Sequence, residues 1–260
     1  MCKAIHDAQN SPNFLGLLHE PSWKHSASIT ATSTTPTTSV TSLRLGELLQ
    51  SKQKNSSHAS GLGKLSRRQR LGLAVTLASA VLQLYESPWL NETWSKNDIY
   101  FFFNGLDEDK CPNISDPHVL QSFRSPPVKR ITGGEPTDAA ANRFLGHHII
   151  NRTLFALGVM LIELCLNRPF EDLRLVTDPQ CQPNIIDDYQ TANSMIDDVY
   201  RKGGDNYGYV VQRCLRCEFG VRDSQKRLDS DTFRCFVYEG VLLPLREDYE
   251  KYSLYRGATA

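Results

Sequence analysis

Leu154-Phe155-Ala156-Leu157-Gly158-Val159-Met160-Leu161-Ile162-Glu163-Leu164, with Asn167-Arg168-Pro169-Phe170 just beyond, is the stretch on which the reading of this chain turns. Apolar side chains fill nearly every position and leave no polar face, so the run reads as a short helix buried on all sides. Gly158 among bulky neighbours marks a place where a second helix comes close, and Leu157 and Leu161 fill the interior. Glu163 must find a partner there, because an unpaired buried carboxylate is costly. The candidates are Arg168, Arg227 and backbone amides of the loop before the helix.

Around this segment the chain has 260 residues, 40% of them apolar, enough for the core of one domain of ordinary size. Lys plus Arg and Asp plus Glu both number 29, giving zero formal charge. That balance excludes a global field favouring nucleic acid or an anionic membrane surface. Met1 to Asn10 mixes Lys3, His6 and Asp7 without an apolar core, and the longest apolar stretch, 154–166, is too short to span a bilayer. The expectation is a cytoplasmic protein. Seven cysteines, an odd number scattered through helical segments, fit reduced thiols. In that compartment the sequons at Asn55, Asn91, Asn113 and Asn151 carry no glycan.

Residues 22–60 are rich in Ser and Thr, as in Thr30-Ala31-Thr32-Ser33-Thr34-Thr35, and hold few apolar anchors to offset ordering entropy. Residues 1–61 are therefore expected to be a disordered Ser/Thr-rich segment, 62–250 a helical domain and 251–260 a C-terminal tail. Within the first segment, Leu43 to Leu49 has the pattern of an amphipathic turn or two, a satellite that docks on the core. Ser66 and Gln69 form a capping-box pattern, and Leu71, Ala74, Val75, Ala78, Leu82 and Tyr85 recur at helical spacing until Ser87-Pro88. Ile99-Tyr100-Phe101-Phe102-Phe103 reads as a strand of a small hairpin. Residues 104–150 read as a long irregular loop. Further helices are predicted over Asp187–Tyr200, with Ala192, Met195, Ile196 and Val199 on one face, and over Tyr207–Cys217, with Val210, Val211, Cys214 and Leu215 inward. A last helix opens near Ser230 or Asp231, turns Phe233, Phe236, Val237 and Val241 inward, and ends or kinks at Pro244. The expected fold class is mainly α with a small β-hairpin.

Read together, these segments carry a resemblance. The run Leu154–Leu164 with Pro169-Phe170 is similar to the central C-lobe helix of protein kinases. Leu73-Ala74-Val75-Thr76-Leu77-Ala78-Ser79, Pro88-Trp89-Leu90, Trp94-Ser95-Lys96-Asn97-Asp98-Ile99, Leu154 to Gly158, Cys214 with Arg216-Cys217, and Val237 to Leu245 closely resemble, in this order, a fungal (ascomycete) family of unknown function. The resemblance implies a kinase C-lobe-like helical domain. In some relatives that domain follows a HeLo-like region of the cell-death and incompatibility type, which is not evident here. It implies no enzymatic activity. By analogy with kinases, where an arginine of the C-terminal helices secures a loop glutamate, it points to Arg227.

The chemistry of phosphoryl transfer is poorly represented. No Gly-x-Gly-x-x-Gly and no Val-Ala-x-Lys strand precede the first helix, and Gly61-Leu62-Gly63 reads as a hinge. Laid on a kinase catalytic loop, Asn91, Thr93 and Asp98 stand where His, Asp and Asn would be. Thr93 cannot act as a base, and Asp98 reads better as a cap or turn residue before the strand. Asp107 or Asp109 could stand for the metal-binding Asp, although Asp-Phe-Gly is missing. Cys214-Leu215-Arg216-Cys217 has the spacing of half a zinc site, with His147-His148 the one candidate complement. The preferred reading puts Cys214 in the core and Cys217 near the surface of one helix. Trp89 and Trp94 are expected to pack on the first helix. No catalytic, cofactor-binding or metal-ligating residue is assigned, and no cofactor. The expected function is a non-catalytic protein-interaction and signalling module of the pseudokinase C-lobe type, in fungal self/non-self recognition. Its expected partners are proteins, not nucleic acid or membrane. The alternatives are a divergent ATP-dependent phosphotransferase using Asp98 with Asp107 or Asp109, and a truncated fragment of a larger effector.

Overall fold

The structure, a computed structural model, describes residues 16–20, 23–27, 42–50, 65–85, 87, 89–90, 94–103, 112–119, 149–174 and 185–257. They fall in two units, Met1–Val40 and Thr41–Ala260. The first contains an antiparallel hairpin of β1 (Gly16–Glu20) and β2 (Trp23–Ala27), in the register Gly16↔Ala27 to Glu20↔Trp23.

The second unit opens with β3 (Ser42–Arg44) and α1 (Leu45–Gln50). Leu45, Leu48 and Leu49 are buried, and Glu47 accepts the Arg44 backbone N–H at 2.8 Å. The amphipathic segment expected at 43–49 thus docks on the core, and the packed unit begins well before residue 62. The expectation of disorder over 1–61 is narrowed by β1, β2, β3 and α1; the rest of it lies outside the described residues. A composition averaged over 22–60 hides three leucines at helical spacing, which are enough to anchor one short helix.

α2 (Arg67–Leu84) starts at the predicted capping box, with Ser66 Oγ accepting Gln69 N–H at 3.3 Å and Gln69 Oε1 accepting Ser66 N–H at 2.9 Å. It ends just before Ser87. A 3-10 turn over Lys96–Asp98 leads into β4 (Ile99–Phe102), the centre of a three-stranded antiparallel sheet with β3 and β5 (His118–Val119). The predicted hairpin strand is therefore present, with β3 added on its other edge. Of the expected long loop, 112–119 and 149–150 are described, and they include β5.

α3 (Arg152–Leu166) is the predicted buried helix. Asn151 caps its start, its Oδ1 accepting Leu154 N–H at 3.0 Å. Asn167 closes it in the left-handed region at φ 53°, a conformation that Asn tolerates better than most residues. Leu154, Leu157, Leu161, Ile162 and Leu164 are fully buried. α2, α5 (Ile196–Gly203) and α6 (Asp205–Arg216) all pack on α3. α6 lies close against Gly158: a Cβ there would lie 2.8 Å from Leu215 Cδ2 and 3.2 Å from Cys214 Cβ. Arg70 of α2 donates to the Leu164 and Cys165 carbonyls at 2.9 and 2.5 Å, placing a cation at the negative end of α3.

Three boundaries differ from expectation. Asp187–Tyr200 is not one helix but α4 (Ile185–Ser194) followed by α5, joined at Met195. Asn193 Nδ2 donates to the Tyr189 carbonyl at 2.9 Å and Ser194 Oγ to that of Thr191 at 2.8 Å, so short polar side chains compete with the helical ladder at the break. α7 (Asp231–Val237) begins at the predicted Ser230 cap, with Phe233 and Val237 buried and Phe236 half-buried. Pro244 then neither ends nor interrupts the chain's helical course. A π-helical turn over Tyr238–Leu242 widens the backbone, and Pro244 enters the first turn of α8 (Leu243–Gly257), where its missing N–H is tolerated. The expected tail from 251 is thus helical through Gly257. The protein is mainly helical with a small sheet, and no helix among the described residues is long and apolar enough to cross a membrane.

Candidate functional site

Three polar side chains from separate elements meet in this apolar setting. Ser95 and Asp98 fix the 3-10 turn: Asp98 Oδ2 accepts Ser95 N–H at 2.8 Å and Ser95 Oγ–H at 3.2 Å, and Ser95 Oγ accepts Asn97 N–H at 3.2 Å. The turn sends Lys96 inward, where its ammonium pairs with both Glu163 of α3 and Glu171 of the 3-10 turn Phe170–Leu173. Glu163 Oε1 also accepts the Phe170 N–H at 2.6 Å. The two carboxylates differ in setting, since the Glu163 side chain is 2% exposed and that of Glu171 54%. Burial pushes the Glu163 carboxyl above the ordinary range, against the opposing pull of Lys96 and the Phe170 N–H. Partial burial acts the same way on Glu171, but its hydrogen bond to Lys96 and that ammonium's charge outweigh it and leave the carboxyl below the ordinary range.

A cleft of about 290 Å³ opens beside the cluster. Trp94, Phe155, Val159, Met160 and Ile185 supply its apolar wall, and Lys96, Glu163 and Glu171 its polar end. Trp94 is buried and donates its indole N–H to the Thr153 carbonyl at 3.3 Å, tying the turn to the start of α3. Arg174 closes one side, 2.6 Å from Asp188 of α4 and 5.8 Å from the centre of the Phe170 ring. Arg152 stands exposed at the mouth, with no ion-pair partner among the described residues. Two roomier hollows, about 410 and 460 Å³, are lined at helix ends and include no buried ionisable group.

The partner of Glu163 is thus neither of the predicted arginines. Arg168 donates to the Asp172 carbonyl at 3.1 Å, and Arg227 pairs with Asp229 at 2.9 Å in an exposed position. The backbone amide that serves Glu163 belongs to the loop after α3, not the one before. Lys96 lies 67 residues away in sequence, and only the packing of the turn against α3 brings it in. Its signal in the sequence was its place inside Trp94-Ser95-Lys96-Asn97-Asp98-Ile99, two residues after a residue that becomes buried and within the capping pair Ser95 and Asp98. Glu171 had no signal beyond nearness to Pro169-Phe170.

Asp98 is the cap residue before the strand, its carboxylate committed to Ser95. Asn91, Thr93, Asp107, Asp109, His147, His148 and 61–63 lie outside the described residues. Cys214 is buried as expected, but Cys217 is buried too, at the left-handed residue, φ 52°, that closes α6. Burial raises both thiols, Cys217 to about 11, which disfavours the thiolates that metal binding or nucleophilic attack require. Among the described residues no three His, Cys, Asp or Glu side chains gather as a metal site. Trp89 is 36% exposed.

What the fold and the site define is a mainly helical protein whose central helix carries one buried carboxylate, clamped by a buried lysine at the end of a small cleft. Residues 1–252 match the family described as Domain of unknown function (DUF7580), and the chain belongs to that family. No curated protein and no solved structure matches it.

Proposed function

We propose that this chain is a non-catalytic helical module of the kinase C-lobe type that acts through protein contacts, in fungal self/non-self recognition or related signalling. The order of elements supports the architecture: a long helix, a polar turn running into a short strand, a buried apolar helix with an internal glycine, then a set of C-terminal helices. The kinase kinship, the fungal setting and the link to HeLo-like cell-death proteins rest on the sequence motifs.

The observation that carries the non-catalytic reading is the state of the polar turn. Asp98, which stands where a kinase holds its metal-binding Asn, has its carboxylate engaged by Ser95, and the adjacent Lys96 is held by two glutamates. A general base or cation ligand needs a lone pair facing the substrate, whereas here an Asp98 oxygen is turned back onto Ser95 of its own turn and the Lys96 ammonium onto Glu163 and Glu171. Two experiments test the proposal. ATP with magnesium is expected to leave the melting temperature unchanged, since only a ligand bound to the native state raises it. Affinity purification of the tagged protein from its native cells is expected to recover a stoichiometric protein partner. Autophosphorylation abolished by Asp98→Asn, with circular dichroism unchanged, would refute the proposal.

A further inference from the structure

We propose that the cleft over Lys96 receives an acidic side chain of a partner protein, carried beside an aliphatic or aromatic residue, and that Glu171 holds the place of that carboxylate in the unbound protein. The inference rests on the protein-interaction reading and names the chemistry of the partner.

The starting point is the inequality of the two carboxylates on Lys96. Glu163 is buried, fixed by the Phe170 N–H and sufficient alone to neutralise the ammonium. Glu171 arrives from a short turn with half its side chain in water. Releasing it restores its hydration, so the exchange is electrostatically mild for the protein. The charges of the lining also balance: Lys96, Arg152 and Arg174 face Glu163, Glu171 and Asp188. A monoanion that replaces Glu171 preserves that balance, whereas a dianionic phosphate adds a charge that, among the described lining residues, Arg152 alone is free to meet.

The remaining wall says what should carry the carboxylate. Trp94, Phe155, Val159, Met160 and Ile185 offer an apolar surface that gains only from an apolar neighbour. At about 290 Å³ the cleft lies at the lower edge of ligand-pocket sizes, roughly 300–1,000 Å³, which suits one or two side chains. An acidic residue with a flanking leucine or phenylalanine meets both requirements. Glu171 then acts as an internal competitor: binding is weakened by the fraction of molecules in which it occupies Lys96.

The test uses the full chain labelled with ¹⁵N and titrated with acetyl-Phe-Glu-Leu-amide. The peptide is expected to shift the Trp94 indole N–H, and its glutamine counterpart to bind about tenfold more weakly, the loss of one charge-assisted contact of about 1.4 kcal/mol. Glu171→Ala, an exposed change that leaves the Lys96–Glu163 pair intact, is expected to bind the peptide about two- to sixfold more tightly, as removal of a half-exposed competitor that occupies Lys96 in about half to five-sixths of the molecules requires. Ala156→Leu, which fills the cleft from α3, is expected to abolish binding with circular dichroism unchanged. Equal binding of the two peptides, or no gain from Glu171→Ala, overturns the proposal. Binding of 3-phenylpropionate as tight as that of the peptide also overturns it, assigning the cleft to a small free carboxylate. Capture of a cellular partner by Ala156→Leu equal to that of the wild type overturns the cleft assignment alone and leaves the interaction reading standing.

Discussion

Replacing Lys96 by methionine tests whether the buried cluster is built as described. Methionine keeps most of the side-chain volume and removes the ammonium, so Glu163, 2% exposed, is left with the Phe170 N–H as its one hydrogen-bond partner among the described residues. Breaking a buried ion pair from one side costs about 3–5 kcal/mol, because the surviving charge stays desolvated. The half-exposed Glu171 simply turns to water, and its share is about 0–1 kcal/mol. Lys96→Met is therefore expected to lose about 3–5 kcal/mol at pH 7, read from chemical denaturation followed by circular dichroism.

The pH dependence identifies the cause. In the wild type, burial already lifts the Glu163 carboxyl above the ordinary range, and without Lys96 it rises further. A folded state that binds the proton more tightly than the unfolded chain gains stability as the pH falls through the folded pKa. The deficit of Lys96→Met should therefore shrink between pH 7 and pH 5, and the double change Lys96→Met with Glu163→Leu should recover most of it at pH 7. A loss below about 1 kcal/mol at pH 7, or a deficit independent of pH, would refute the buried pair as the source of the energy.

Glu171 behaves in the opposite sense, since its depressed carboxyl contributes stability above the ordinary carboxylate range that is lost as the pH falls through the folded value; Glu171→Gln should flatten the acid limb of the wild-type stability curve. Leu161→Ala, at a fully buried site on α3, should cost about 2–5 kcal/mol, and a loss well under about 1 kcal/mol would deny that helix its central place. Gly158→Ala should destabilise despite the better helix propensity of alanine. Its new Cβ meets Leu215 and Cys214, and overpacking of about 1–3 kcal/mol exceeds a propensity gain of about 1 kcal/mol. Thiol labelling of the native protein should be rapid at the exposed Cys235 and slow at Cys165, Cys214 and Cys217, which are buried.

The elements legible in the sequence were those whose signals are local. The run 154–164, apolar at nearly every position, read as a buried helix, Ser66 with Gln69 as a cap, and the leucines of 43–49 as a docking face; each information source lies within one or two turns of chain. The helix break at Met195 and the passage through Pro244 were hidden because they depend on side chains bonding their own backbone and on a π-turn that a 3.6-residue pattern does not foresee. The site divides in the same way. That Glu163 needs a partner followed from burial alone, since a carboxylate inside an apolar helix cannot stand unpaired. Which partner it takes did not, because Lys96 is local to a different turn, and the energy that joins the two exists only once that turn and α3 have packed and excluded water.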